Sequence, residues 1–193
     1  MDSELNKACR TITGNLRPTP LPALYRLASI CPPSIRRDAI TKAERERQLS
    51  DNRHPLHHHQ RVQPRLKSRK SFVTVDRLGN ESLSTYRLRR WTETDQHHRQ
   101  SIPEPSENLP NGTSLSRKDW VALNRARAKV GRMGDNLLGW GLSESAQCTC
   151  GEPIQSMDHI LQGCLGGPSC SNEDLLEANQ TALDWLLWWR DKI

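Results

Sequence analysis

Cys148, Cys150, His159 and Cys164 form a C-x-C-x8-H-x4-C array toward the C-terminal end of the chain. Thiolate sulfur and imidazole nitrogen both suit zinc, and three of the first with one of the second complete a tetrahedron. Such a set leaves no position for water, so the array predicts a structural ion that shapes a binding module and performs no hydrolysis. Two other readings of the same cysteines stand beside it, as small buried side chains or as disulfide partners. The N-terminus shows no charged, apolar and small-residue leader, which predicts a reducing, intracellular compartment, nuclear or cytoplasmic, and favours thiolates on a metal. Gly151 lets the backbone turn with positive φ after the second cysteine, and Pro153 closes that turn. Cys170 is either a substitute ligand or a free thiol, while Cys9 and Cys31 sit in helical contexts and pack as small hydrophobes.

The elements that must position these ligands are helical. Met157 to Gln162 reads as a short helical turn presenting His159, with Cys164 just past Gly163. Ser116-Arg-Lys-Asp119 reads as a capping box opening a helix that carries Trp120, Leu123, Ala126 and Val130, interrupted by Gly131 and Gly134. Asp135 to Trp140 then delivers the chain to the cysteines. Arg117, Lys118, Arg125, Arg127, Lys129 and Arg132 make the first of these segments strongly basic and are the candidate phosphate contacts, with Trp140 placed to stack on a base or pack beside the knuckle. After the array, Asn172 is the expected cap of a last helix carrying Leu175, Leu176, Leu183, Leu186, Leu187 and Trp189. That helix should fold back on the basic one, because the knuckle alone buries too little apolar surface. Trp185, Trp188 and Trp189 are read as core, against the alternative of a partner surface.

Upstream, Ser3 to Thr13 predicts a first helix stopped by Gly14, and the prolines of Arg17 to Pro22 a rigid connector. A second helix begins near Pro22, and Pro32 and Pro33 break it. A third runs from near Ser34 to Arg47, with Ile35, Ala39, Ile40 and Ala43 at helical spacing. From Asp51 to about Asn111 apolar periodicity fades. Here lie His54, His57, His58 and His59, then Arg61, Arg65, Lys67, Arg69 and Lys70, then Arg77, Arg87, Arg89 and Arg90. With Phe72, Tyr86 and Trp91 interleaved, this stretch reads either as a phosphate-gripping, base-stacking surface or as a solvated linker. The histidines alone make a poor metal site, and Arg65 to Lys70 would serve weakly as a nuclear signal. Ser101 to Gly112, with its prolines, asparagine and glycine, reads as a connector.

The fold class expected is therefore mostly α. The parts expected are a helical segment over 1–50, a basic and largely irregular linker over 51–113, and a helical zinc-knuckle domain over 114–193. A hydrophobic fraction of 34% is too low for one large core in 193 residues, and the formal charge of +6 suits a polyanion partner. No apolar run approaches the roughly 20 residues needed to cross a bilayer.

Leu123-Asn-Arg-Ala-Arg-Ala-Lys-Val-Gly-Arg-Met-Gly-Asp-Asn-Leu-Leu-Gly-Trp-Gly-Leu142, followed by Cys-x-Cys-Gly and Met157-Asp-His-Ile-Leu161, resembles the C-terminal region of non-LTR, LINE- and jockey-like retrotransposon reverse transcriptases. Ile12-Thr-Gly14, Arg17 to Pro22, Pro32 to Arg37, His54-Pro-Leu56 and Arg65 to Phe72 resemble the segment between thumb and knuckle in that family. The likeness is weakest over Arg77 to Gly112. It implies a fragment that helps hold template RNA or target DNA beside a polymerase, with an intact retroelement polymerase as a possible protein partner. Such polymerases need adjacent aspartates for two-metal phosphoryl transfer, and this sequence has no two adjacent aspartates. An RNA-directed DNA polymerase activity in this chain alone is not expected, nor is a small-molecule substrate. The competing expectation is a truncated remnant or protein-docking segment, in which Ile12, Leu24, Tyr25, Leu27 and Ile35 would present apolar faces. Asp158, beside His159, is read as a supporting or helix-start residue, not a catalyst.

Overall fold

The structure is a computed structural model describing residues 2–59, 72–95, 100–164 and 167–193. Arg61, Arg65, Lys67, Arg69 and Lys70, and with them the weak nuclear signal, lie outside the described residues. Among the described residues every regular element is helical: α1 (Asp2–Thr13), α2 (Leu21–Ala28), α3 (Pro33–Ser50), a 3-10 turn (Phe72–Thr74), α4 (Leu83–Thr94), α5 (Arg117–Ala128), α6 (Gly134–Gly139), α7 (Met157–Leu161), α8 (Asn172–Glu177) and α9 (Gln180–Trp189). The mostly α expectation is met.

The chain divides into two compact units, Met1–Ile30 with Gln96–Ile193, and Cys31–Asp95. The expected parts divided the chain elsewhere, at about residues 50 and 113. The physical reason lies at the end of α1. The last carbonyls of a helix have no partners within it, and those of α1 find them on α5. Arg117 donates to the carbonyls of Thr11 and Ile12, the Trp120 indole N–H to Ile12 (2.8 Å), Asn124 to Thr13 (3.2 Å) and Arg125 to Gly14 (3.2 Å). Gly14 sits at φ +73, where a Cβ would run into the Val121 side chain of α5. Thirty N-terminal residues are thus part of the same body as the knuckle. Leu24, Tyr25 and Leu27 are buried, and Ile35 is buried in the other unit, so these are not the open apolar faces expected of a bare fragment; Ile12 is half-buried.

In the larger unit the main core joins Trp120, Leu123 and Ala126 of α5 to Ile160 and Leu161 of α7, Leu175 of α8, and Trp185, Leu186 and Trp189 of α9. The expected return of the C-terminal helix onto α5 is present, but as two helices. Ala178 takes a left-handed φ of 53, ending α8, and Asn179 restarts the chain by accepting from the Ala182 N–H. The cap of α8 is Ser171, not Asn172. Ser171 and Asp174 exchange hydrogen bonds as a capping box. Of the tryptophans, Trp185 and Trp189 lie in the core and Trp188 is exposed.

The smaller unit is more ordered than a linker. Ser82 caps α4 by accepting from the Thr85 N–H, and Tyr86 and Trp91 are buried. The Tyr86 hydroxyl donates to Asp38 of α3, and burial followed by that carboxylate pushes its pKa up to about 12. These two rings pack inside and are not platforms for bases. Arg77 pairs with Glu46, Arg89 with Glu81 and Glu93, and Arg90 with Glu93. His54 meets the Glu44 carboxylate at 3.0 Å and His57 the Gln48 carbonyl at 3.0 Å, so both fasten the turn after α3.

Candidate metal centre

The centre is built from a loop and a short helix. The chain from Ala146 to Gln155 doubles back on itself: the Cys148 N–H donates to the Glu152 carbonyl (2.9 Å) and the Gln155 N–H to the Ala146 carbonyl (2.7 Å). Between them the Gly151 N–H closes on the Cys148 carbonyl (3.0 Å), with Gly151 at φ +97 as its position after Cys150 predicts. The loop is seated on α6. Gln155 accepts from the Gly134 N–H (3.1 Å), and a Cβ at Gly134 would come within 2.7 Å of the Ala146 carbonyl oxygen. Ser156 caps α7 by accepting from the His159 N–H (3.1 Å), which starts the helix with the imidazole in its first turn. Cys164 follows Gly163 and is buried in the main core with Cys148.

These turns bring one sulfur each from Cys148, Cys150 and Cys164 and one ring nitrogen from His159 within 4.8 Å of one another. Two opposite edges of the quartet are the closest, Cys148 Sγ to Cys164 Sγ at 3.4 Å and Cys150 Sγ to His159 Nε2 at 3.3 Å. Ligand–zinc bonds of about 2.3 Å would separate tetrahedral sulfurs by roughly 3.8 Å, so one small ion fits the spacing. A disulfide needs about 2.05 Å between sulfurs, and Cys148, Cys150 and Cys164 are free of one. The four residues can hold a metal, and their soft donors exclude the all-oxygen shells of magnesium or calcium.

The electrostatics of the quartet are uneven. Burial pushes the Cys148 thiol up, but hydrogen bonds from the Cys150 backbone and from Cys164, Cys150 and His159 outweigh it and bring its pKa down to about 6. Cys164 is pushed up to about 12, by burial first and then by its hydrogen bonds with Cys148 and Cys150. Gln155 Nε2 also reaches Cys148 Sγ at 3.6 Å, a neutral donor that steadies a thiolate. Gln155 and Ser156 carry no signal in the sequence, because a lone glutamine or serine in a loop has many uses. Cys170 stands outside the quartet. Its N–H holds the Leu161 carbonyl (2.8 Å), and burial raises its thiol to about 12.

The expected phosphate contacts fare differently. Arg127 is wholly buried, and its guanidinium donates to the carbonyls of Leu175 (2.7 Å), Leu176 (3.0 Å) and Asn111 (3.0 Å). It closes the end of α8 and cannot meet a phosphate; burial lowers its pKa to about 10. Arg117 and Arg125 are tied to the end of α1 as described. Lys118 pairs with Asp191, and Lys129, at a left-handed φ of 53 that ends α5, pairs with Asp158 in the first turn of α7. Arg132 is exposed. Trp140 packs half-buried against the second apolar cluster of Ala23, Leu27, Ile102, Ala128 and Val130. No family model, curated protein or solved structure matches this chain.

Proposed function

We propose that this chain is the C-terminal, nucleic-acid-binding part of a non-LTR retrotransposon reverse transcriptase, organised around a structural zinc ion. The quartet of Cys148, Cys150, His159 and Cys164, with all four donor atoms within 4.8 Å, carries the reading. Zinc is favoured by the donor chemistry, since thiolates and imidazole in a four-donor set match structural zinc sites. With the quartet filled by protein donors, the ion has no place for a substrate, so its role is to fold the loop and α7 against the core. The bound strand is template RNA or target DNA, held by exposed cations, and the absence of adjacent aspartates keeps the chain from polymerising alone.

The test is metal content of the purified full chain together with an RNA titration at two salt concentrations. About one zinc per chain is expected, with affinity falling steeply between about 50 and 200 mM salt. Stripping the metal should abolish binding, because the energy of a structural zinc is folding energy. A metal-free chain that keeps full RNA affinity would overturn the mechanism.

A further inference from the structure

A cavity of about 540 Å³ opens beside α5, lined by Arg117, Lys118, Arg125, Arg132, Arg190 and Asp191. We propose that it is a phosphate-binding site, holding a phosphate group of the nucleic-acid strand among these cations. The ligand's identity as nucleic acid rests on the function proposed above; its phosphate chemistry rests on the cavity alone.

Charge makes the first case. Lys118 is neutralised by Asp191, and Arg190 by Asp119 (2.8 Å). Arg117 and Arg132 have no carboxylate partner among the described residues, and Arg125 donates to the main-chain oxygen of Ile193, the last residue of the sequence (3.0 Å). The crowding registers on Arg125, whose pKa is lowered first by burial and then by the charge of Arg132. An anion between them would relieve that repulsion.

Geometry makes the second. Arg117 and Arg125 are fixed by their own structural duties, the first on the carbonyls of Thr11 and Ile12, the second on Gly14 and on the main-chain oxygen of Ile193 (3.0 Å). Each of these ties uses two of the five N–H groups of a guanidinium and leaves the others to donate. Their positions are set before a ligand arrives, so little side-chain entropy is lost on binding. Arginine forks suit the paired oxygens of a phosphate. The volume lies within the range of small-ligand sites, large enough for a nucleotide unit around the phosphate.

The test is the charge reversal Arg132→Glu in the full, metal-loaded chain, because Arg132 is exposed and supports no helix end. The control reversal is Lys7→Glu, at an exposed lysine on α1 paired with Glu4 and outside the cavity. The probes are a single-stranded RNA, read by fluorescence anisotropy, and inorganic phosphate, read as a rise in Tm. Arg132→Glu is expected to weaken RNA binding by about tenfold or more and to lower the salt slope by about one, with Lys7→Glu near wild type. If the two reversals weaken RNA binding equally, the cavity is overturned while the nucleic-acid reading stands. If RNA does not bind but millimolar phosphate raises the Tm of wild type and not of Arg132→Glu, the site stands with free phosphate as its ligand and the nucleic-acid reading fails. If neither probe binds, both are overturned.

Discussion

The knuckle and α5 share one compact unit and hold its most reactive-looking side chains, yet they satisfy them by opposite means. The knuckle gathers its donors onto one point, with thiols and an imidazole within 4.8 Å in a set that could hold a metal ion. Helix α5 distributes its donors over the chain itself. Arg117, Trp120, Asn124 and Arg125 close the end of α1, and Arg127 closes the end of α8. One region presents donors that could hold an ion, and the other serves mainly as internal scaffolding. The lesson is that a basic helix must be read against its own chain, since the N–H groups its cations spend on carbonyls are lost to any partner.

Removing the metal should show the contrast at its largest. Structural zinc contributes on the order of 10 kcal/mol or more to small knuckles at neutral pH. Chelation or Cys148→Ser should therefore collapse the loop and α7, and with them the burial of Trp185, whose indole N–H rests on the Ile160 carbonyl (3.2 Å). A fall in Tm and loss of the near-ultraviolet circular dichroism of tryptophan are the readouts. An unchanged Tm in the metal-free protein would erase the distinction between the two regions. The pH arm has a definite sign. Metal binding must expel the proton that burial holds on Cys164, so zinc affinity should rise with pH across the neutral range.

The same contrast explains what could be read in advance. The quartet was legible because metal chemistry fixes residue type and spacing together, and Gly151 and Pro153 agreed with the turn it requires. Several helices were legible from period and caps, including Ser116 at the start of α5, while α4 was not, because it lies in the stretch read as an irregular linker. The partition into units was not, because it depends on which side chains meet the carbonyls of Thr11 to Gly14, over a hundred residues away in sequence. A carbonyl has no signature in a sequence. For the same reason Arg127 read as a phosphate contact, and Tyr86 and Trp91 as base-stacking rings or parts of a solvated linker, where the structure buries both. The break between α8 and α9 was hidden because Ala178, a helix former, takes the left-handed C-cap of α8 directly before the Asn179 cap of α9.

On the α5 side the largest loss should come from Arg127→Leu. The variant keeps an apolar side chain in the core but removes three hydrogen bonds, to the carbonyls of Asn111, Leu175 and Leu176, the last of which keeps only the Asn111 side-chain amide (3.4 Å). At about 1 kcal/mol for each hydrogen bond left unmade, the cost is about 3 kcal/mol by urea denaturation. Arg127→Lys should recover only part, since an ammonium cannot present a planar fork to several carbonyls. A neutral result would mean that the α8 carbonyls are satisfied by other donors.

Gly14→Ala comes next. It places a Cβ against Val121 and forces an L-residue to the left-handed φ of +73, so a loss of about 2 kcal/mol is expected. The pairing with Val121→Ala separates the two causes. If the clash dominates, the double variant recovers stability relative to Gly14→Ala; if the backbone dominates, the two losses add.

The smallest effect belongs to Asp119, which links the start of α5 to the end of α9. Its carboxyl is held below the usual carboxylate range, first by the Ser116 hydroxyl and then by Arg190, against a smaller opposing push from burial. A carboxyl whose folded pKa lies below its unfolded value contributes stability at pH values above the unfolded one and loses it as pH falls through the folded one. Asp119→Asn should therefore cost less than about 1 kcal/mol at neutral pH, the range of partly exposed ion pairs, and progressively less in acid. Urea midpoints of wild type and variant should converge as the pH is lowered below the ordinary aspartate range. Should they stay parallel instead, the contribution of Asp119 is the shape of its cap on Ser116 and not its charge. The Arg190 guanidinium that faces the cavity would then be held there by packing alone.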